Sequence, residues 1–172
     1  MAADETGTPS GDASAGAGPT SGTKQRIVSV SRVIPASPST IFAIVDDPSR
    51  HPEMDGSGTV KRSRTESRHL TRGDRFGMDM KMGFPYRVAS KVEEYEKDRL
   101  IAWAHFAGHR WRYELEPVDG GTKVTESFDW STAKAPAVIE LLGFPKKHPR
   151  AMEATLERLE ALAVADERAA GG

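Results

Sequence analysis

Residues 110–130 read RWRYELEPVDGGTKVTESFDW, two runs of alternating apolar side chains on either side of Val118-Asp119-Gly120-Gly121. Alternation at period two marks a strand with one buried face, and Asp-Gly between two such runs marks a tight hairpin. Centring the turn on Asp119-Gly120 opposes Glu116 to Lys123, Leu115 to Val124, Tyr113 to Glu126 and Trp111 to Phe128. The other face then pairs Arg112 with Ser127 and Arg110 with Asp129, as a solvent face should. One residue breaks the pattern. Glu126 falls in the row made by Val124, Phe128 and Trp130, so the strand aims a carboxylate at the side it buries. A slip of one residue would turn the whole apolar row to solvent, so the register itself holds the charge inside.

An inward carboxylate that is dry and unpaired costs several kcal/mol, so it must meet donors, a cation, water or a ligand. Two readings follow. In one, Glu126 faces a water-containing cavity beside the Tyr113 hydroxyl; in the other it pairs with an arginine near the sheet rim, with Arg75 the candidate.

The same turn logic extends the inner face. Centring the preceding hairpin on Ala107 opposes Trp103 to Trp111 and Ile101 to Tyr113. A turn around Lys97-Asp98 opposes Val92 to Trp103 and Ser90 to His105, and a turn centred on Pro85 sets Met78 against Val92 and Met80 against Ser90. The predicted inner face then has an apolar row of Met78, Val92, Trp103, Trp111 and Phe128. A mixed row of Met80, Ser90, His105, His109 and Trp130 lies on one side, and Ile101, Tyr113 and Glu126 on the other. Met78, Met80 and Met82 recur at strand period with Phe76; a methionine wall suits either ordinary core filling or a variable apolar ligand.

Upstream, residues 24–34 alternate as a strand ended by Pro35. Ser37-Pro38 is an N-cap followed by proline at the first helical position, which starts a short helix over STIFAIV. PSRHPEMD makes one or two further turns, in which His51 and Glu53 either gate the interior or cap a turn. Strands are then expected at about 59–67, 74–82, 87–96, 99–106, 109–117 and 121–130. From Pro145 to Glu167 the period changes to 3.6, with Met152, Leu156, Leu159, Leu162 and Val164 on one stripe of a long amphipathic helix. The fold class is therefore α+β: a curved seven-stranded antiparallel sheet around a long C-terminal helix, with two short helices between strands one and two. A curved sheet gripping one helix leaves a cavity between them.

This order resembles the START-like, or Bet v 1-like, superfamily of helix-grip domains (the SRPBCC group), and within it the bacterial polyketide cyclase/dehydrase and lipid-transport proteins. The resemblance rests on VSRVIPASPSTIFAIVDDPSRHPEMDG, on WRYELEPVDGGTKVTESFDW and on MEATLERLEALA, and covers roughly residues 25–165. It implies a domain that carries, or acts on, a hydrophobic small molecule such as a lipid, a polyketide or an aromatic. It supplies no fixed catalytic signature that matches here.

Composition narrows the alternatives. The net charge of −1 points to no charged partner, and the absence of cysteine removes disulfides, thiol chemistry and thiolate metal sites. Residues 1–23 have no large apolar side chain beyond Met1 and read as a disordered tail; 24–166 form the ligand-binding domain and 167–172 a frayed end. The N-terminus lacks the apolar segment of a signal peptide, and APAVIELLGF is far too short to span a bilayer, so a cytoplasmic protein without a membrane span is expected. The basic run KRSRTESRHLTRGDR, residues 61–75, has no interleaved aromatics and reads as a solvated face, not a nucleic-acid site. His105 and His109 face each other across a turn, but no third ligand follows from the sequence, so neither a metal nor another cofactor is expected. No phosphate loop, nucleophile elbow or HExxH is present.

Three functions remain. The first is binding of a small apolar molecule, with Met78, Met80, Val92, Trp103, Trp111 and Phe128 as walls and Ser90, His105, Tyr113 and Glu126 orienting its polar groups. The second is an aromatase/cyclase using Glu126 with Tyr113, or His105, as acid and base. The third is a protein-interaction module. The oligomeric state stays open between monomer and weak dimer.

Overall fold

The structure, a computed structural model, describes residues 26–171; the tail expected at 1–23 lies outside the described residues. Strand β1 (Ile27–Ile34) leads to helix α1 (Pro38–Val45), a 3-10 turn (Pro48–Arg50) and helix α2 (His51–Met54). Strands β2 (Val60–Ser63), β3 (Arg75–Met82), β4 (Phe84–Glu96), β5 (Leu100–His105), β6 (Arg110–Val118) and β7 (Gly121–Asp129) follow in succession. The chain closes with α3 (Pro136–Leu141) and α4 (Phe144–Ala170). All seven strands form one antiparallel, curled sheet in the order β1-β7-β6-β5-β4-β3-β2. Helix α4, 27 residues and so about 40 Å long, packs against β1, β7, α1 and α2.

The local chemistry explains the elements. The Ser37 hydroxyl accepts from the Thr40 amide and caps α1, whose Ile41, Phe42, Ile44 and Val45 are buried. Met152, Leu156 and Leu159 are the buried stripe of α4, with Leu162 and Val164 half-buried and Ala163 filling the space between. Leu156 and Leu159 join Val92, Ile101, Trp103 and Tyr113 in one cluster, which joins helix to sheet.

The β4–β5, β5–β6 and β6–β7 registers match those derived from the turns, including Ser90 against His105, Trp103 against Trp111 and Tyr113 against Glu126. Four expectations are corrected. The β3–β4 turn is centred on Gly83, at φ 79°, not on Pro85, so Met78 faces Val88, Met80 faces Tyr86 and Phe76 faces Ser90. Only glycine enters the left-handed region without penalty, and Pro85 sits in the strand beyond it. The shift is even in residues, so the methionines keep their face and lose only their partners. Strand β2 stops at Ser63, short of 67. There the chain leaves the edge so that Leu70 can bury completely beside α1, with the Leu70 amide donating to the Asp46 carbonyl at 2.8 Å. Residues 136–141 form an unexpected helix, α3. Finally, α4 continues to Ala170, beyond the domain boundary drawn at 166, and Ser37 donates to the Glu167 carboxylate across to α1.

Candidate functional site

Strands β5, β6 and β7 turn Trp103, Tyr113 and Glu126 to the inner face, and α2 closes over them. The His51 ring stacks on Trp103 at 5.0 Å, Trp103 stacks on Tyr113 at 5.5 Å, and Phe76 meets Trp103 edge-on at 5.7 Å. At the end of this stack the Tyr113 hydroxyl donates to Glu126 Oε1 at 2.9 Å. The second carboxyl oxygen, Oε2, is buried and has no hydrogen-bond partner among the described residues.

Electrostatics follow from that burial. Desolvation pushes the Glu126 carboxyl up to about 8, against the opposing pull of the Tyr113 hydrogen bond, and the negative charge of Asp55 pushes the same way. The group is therefore mostly protonated at neutral pH. Burial, then the neighbouring Glu126, raises Tyr113 well above the ordinary phenol range. His51 is held neutral by burial, and its Nε2 bonds the Val45 carbonyl at 2.8 Å.

A second polar group lies where β4, β5 and β6 meet the first turns of α4. Ser90 Oγ and His105 Nδ1 are 2.9 Å apart, and the His105 and His109 rings are 4.9 Å apart. His148 of α4 packs on Phe128 at 4.4 Å and on Trp111 at 5.0 Å. Burial lowers all three histidines, His105 to about 3 and His148 to about 4, with His109 adding to both shifts. His109 Nδ1 is the other buried polar atom without a partner among the described residues.

The sequence-derived set is thus divided between two clusters. Trp103, Tyr113 and Glu126 meet directly; Ser90 meets His105; Trp111 meets Phe128 at 4.9 Å. Val92 and Met78 are buried in the wall, and Met80 is only half-buried, beside Tyr86 and away from Ser90. Arg75 is not the partner of Glu126. It is exposed and faces outward on β3, one residue before inward Phe76, and Glu126 bonds Tyr113 instead. His51 is a buried member of the stack and also caps: its backbone N–H donates to the Pro48 carbonyl to close the 3-10 turn, and its Nε2 bonds the Val45 carbonyl at the end of α1, while Glu53 is exposed. His148 went unrecognised, although it lies four residues before Met152 and so extends the buried stripe by one turn.

Two grooves open on the outside. One, of about 610 Å³ at the β2–β3–β4 rim, is lined by Met80, Pro85 and Tyr86 with the charged Lys61, Asp79 and Arg87. The other, of about 430 Å³, surrounds Leu115, Pro117 and Thr125. Neither is lined by Glu126 or by α4.

Residues 25–164 match the profile of the family described as polyketide cyclase / dehydrase and lipid transport. Two uncharacterized proteins of Mycobacterium tuberculosis, Rv0088 and MT0096, are each 41% identical over 138 residues, which is 77% of this chain and 62% of theirs. The chain thus spans less than two thirds of those relatives. Among solved structures, protein NE0264 from Nitrosomonas europaea superposes with a TM-score of 0.63 at 15% identity, covering 83% of this chain and 96% of that one. The AHSA1-like protein from Aeromonas hydrophila gives 0.57 at 18%, covering 81% and 93%. The di-domain ARO/CYC StfQ from the steffimycin biosynthetic pathway gives 0.63 at 17%, covering 84% of this chain and 52% of that one. At these identities the likeness shows a shared fold. Among the described residues, no helix is long and apolar enough to cross a membrane.

Proposed function

The chain belongs to the polyketide cyclase/dehydrase and lipid-transport family, and from that premise we propose that it binds a small apolar molecule bearing a carbonyl or hydroxyl oxygen between the sheet and α4. One observation carries the reading: Glu126 Oε2 is buried and unpartnered on a carboxyl that burial keeps protonated. Native interiors seldom leave such an atom bare, because the lost hydration is not returned. A ligand oxygen accepting the Oε2 proton repairs the deficit, with Tyr113 fixing the carboxyl through Oε1. The surrounding rings supply affinity at ~25 cal/mol per Å² of apolar surface covered, and the single donor supplies orientation.

Native mass spectrometry of gently purified protein, followed by solvent extraction, tests this reading. The expected result is an apolar adduct with a carbonyl or hydroxyl group, raising the melting temperature by mass action. Glu126→Leu should weaken it about tenfold, the worth of one hydrogen bond. A clean apo mass, with no thermal shift across ketones, fatty acids and aromatic polyketides, would overturn it.

A second reading has the Tyr113–Glu126 pair in its favour. A protonated Glu126 can give its proton to a substrate hydroxyl that leaves as water, and the carboxylate so formed, held by Tyr113, can take the proton from the adjacent carbon as the double bond forms. Glu126→Gln and Tyr113→Phe should then each abolish dehydrative cyclisation of a poly-β-ketone analogue. Unchanged turnover in both variants would remove this reading and leave the carrier.

A further inference from the structure

Strands β3, β5 and β7 end, and β1, β4 and β6 begin, at one end of the sheet, which follows from their antiparallel order. That end therefore collects the Gly83 turn, the turn at 106–109, helix α3 and the first turn of α4. The pieces are tied together. The Lys134 amide donates to the Ala107 carbonyl at 2.9 Å, the Thr132 hydroxyl to the Gly108 carbonyl at 2.7 Å, and Arg26 to Glu140 at 3.2 Å.

Of the eight exposed large apolar side chains among the described residues, all but Val33 lie at this end. Phe84 is 69% exposed, Phe106 75% and Leu141 86%, each on a different turn or helix. Scattered apolar side chains are normal on a protein surface; their concentration at one pole is not. The same pole is basic. Lys81 flanks the Gly83 turn, where Arg87 is held by Asp79 at 3.7 Å, and Lys134, Lys146, Lys147 and Arg150 surround α3, against Asp129 at the end of β7. The one acid from 131 to 152, Glu140, is bound to Arg26 and to the Trp130 indole.

We propose that this pole docks on an anionic lipid surface, with Phe84, Phe106 and the Leu141–Leu142 pair entering the interface and the lysines meeting the headgroups. Separate apolar prongs ringed by basic side chains match a bilayer boundary, which is apolar within and negative at its surface. A second copy of the chain fits poorly, because a two-fold contact would set basic rim against basic rim. Residues 1–25, which join at Arg26 at this pole, contain no Val, Ile, Leu, Phe, Tyr or Trp with which to cover it. The inference does not depend on what the interior binds.

Co-sedimentation of the full chain decides it, using vesicles of phosphatidylcholine alone and of phosphatidylcholine mixed equally with phosphatidylglycerol. The chain should pellet with the anionic vesicles, about tenfold more tightly than with the neutral ones, and release as salt is raised. Phe84→Ser with Phe106→Ser, Leu141→Ser with Leu142→Ser, and Lys146→Glu with Lys147→Glu should each cut binding about tenfold at an unchanged melting temperature, since these side chains are exposed. Three results would overturn the proposal: wild type staying in the supernatant with both vesicles at low salt; the variants pelleting like wild type; or a dimer in sedimentation velocity that the leucine variant abolishes, which would assign the pole to a second copy.

Discussion

Glu126 is the residue on which the chemistry turns. Its pKa rises on folding from 4.5 to about 8, so the folded state favours the proton. The resulting stability is complete below about pH 4.5 and is lost as pH climbs through about 8. Thermal denaturation from pH 5 to 9 should therefore show a falling melting temperature in wild type and a flatter profile in Glu126→Gln. At pH 6 that variant should stay within about 1 kcal/mol of wild type, because glutamine still accepts from Tyr113. Tyr113→Phe removes the one bond that lowers this pKa, so the Glu126 titration should move further up. The histidines carry the opposite sign. Burial lowers His105, His109 and His148, so their contribution is complete above pH 6.5 and is lost as pH falls toward their folded values. His148→Gln should accordingly flatten the acid limb of the stability profile between pH 6.5 and 4, and leave the alkaline limb alone.

At the scale of elements, the grip depends on how closely the segment after α2 approaches α4. The Gly56 amide donates to Thr155 Oγ1 at 2.9 Å, and a Cβ on Gly56 would lie 2.3 Å from the Thr155 amide nitrogen and 2.4 Å from the Ala151 carbonyl oxygen. Backbone cannot yield as a side-chain tip can, so Gly56→Ala should cost about 3 kcal/mol in chemical denaturation. Gly58→Ala, in open space but at φ 67°, should cost only about 1 kcal/mol. Equal losses in the two variants would mean that the close approach to α4 is unimportant.

Over the whole molecule, what could be read in advance followed from short-range rules. The β6–β7 register was legible because Asp119-Gly120 leaves one tight turn that keeps both apolar rows together, and that register alone turned Glu126 inward. The β3–β4 register was not, since Gly83 and Pro85 are both turn residues and the two centrings differ by an even step that keeps the same face. Pattern cannot choose between solutions that bury the same residues. His148 escaped for a related reason: it lies on α4, which packs on the sheet from outside, and no period within β5 or β6 announces it. His51 reads in sequence as a gate or a turn cap, but its stack on Trp103 needed the folded structure. Arg75 could have been ruled out as the partner of Glu126 in advance, because the alternation that turns Phe76, Met78 and Met80 inward turns it to solvent. The concentration of exposed apolar residues at one pole needed the antiparallel order, which brings turns far apart in the chain to the same end.

The central claim is that Glu126 is a neutral, buried donor at physiological pH. An infrared titration of the carboxyl stretch, taken as the difference between wild type and Glu126→Gln, measures it directly. A protonated carboxyl band that persists at pH 7 and disappears near pH 8 is the predicted result. A band already lost by pH 5 would mean an ionised Glu126 with a partner or water, and would contradict the account of the site.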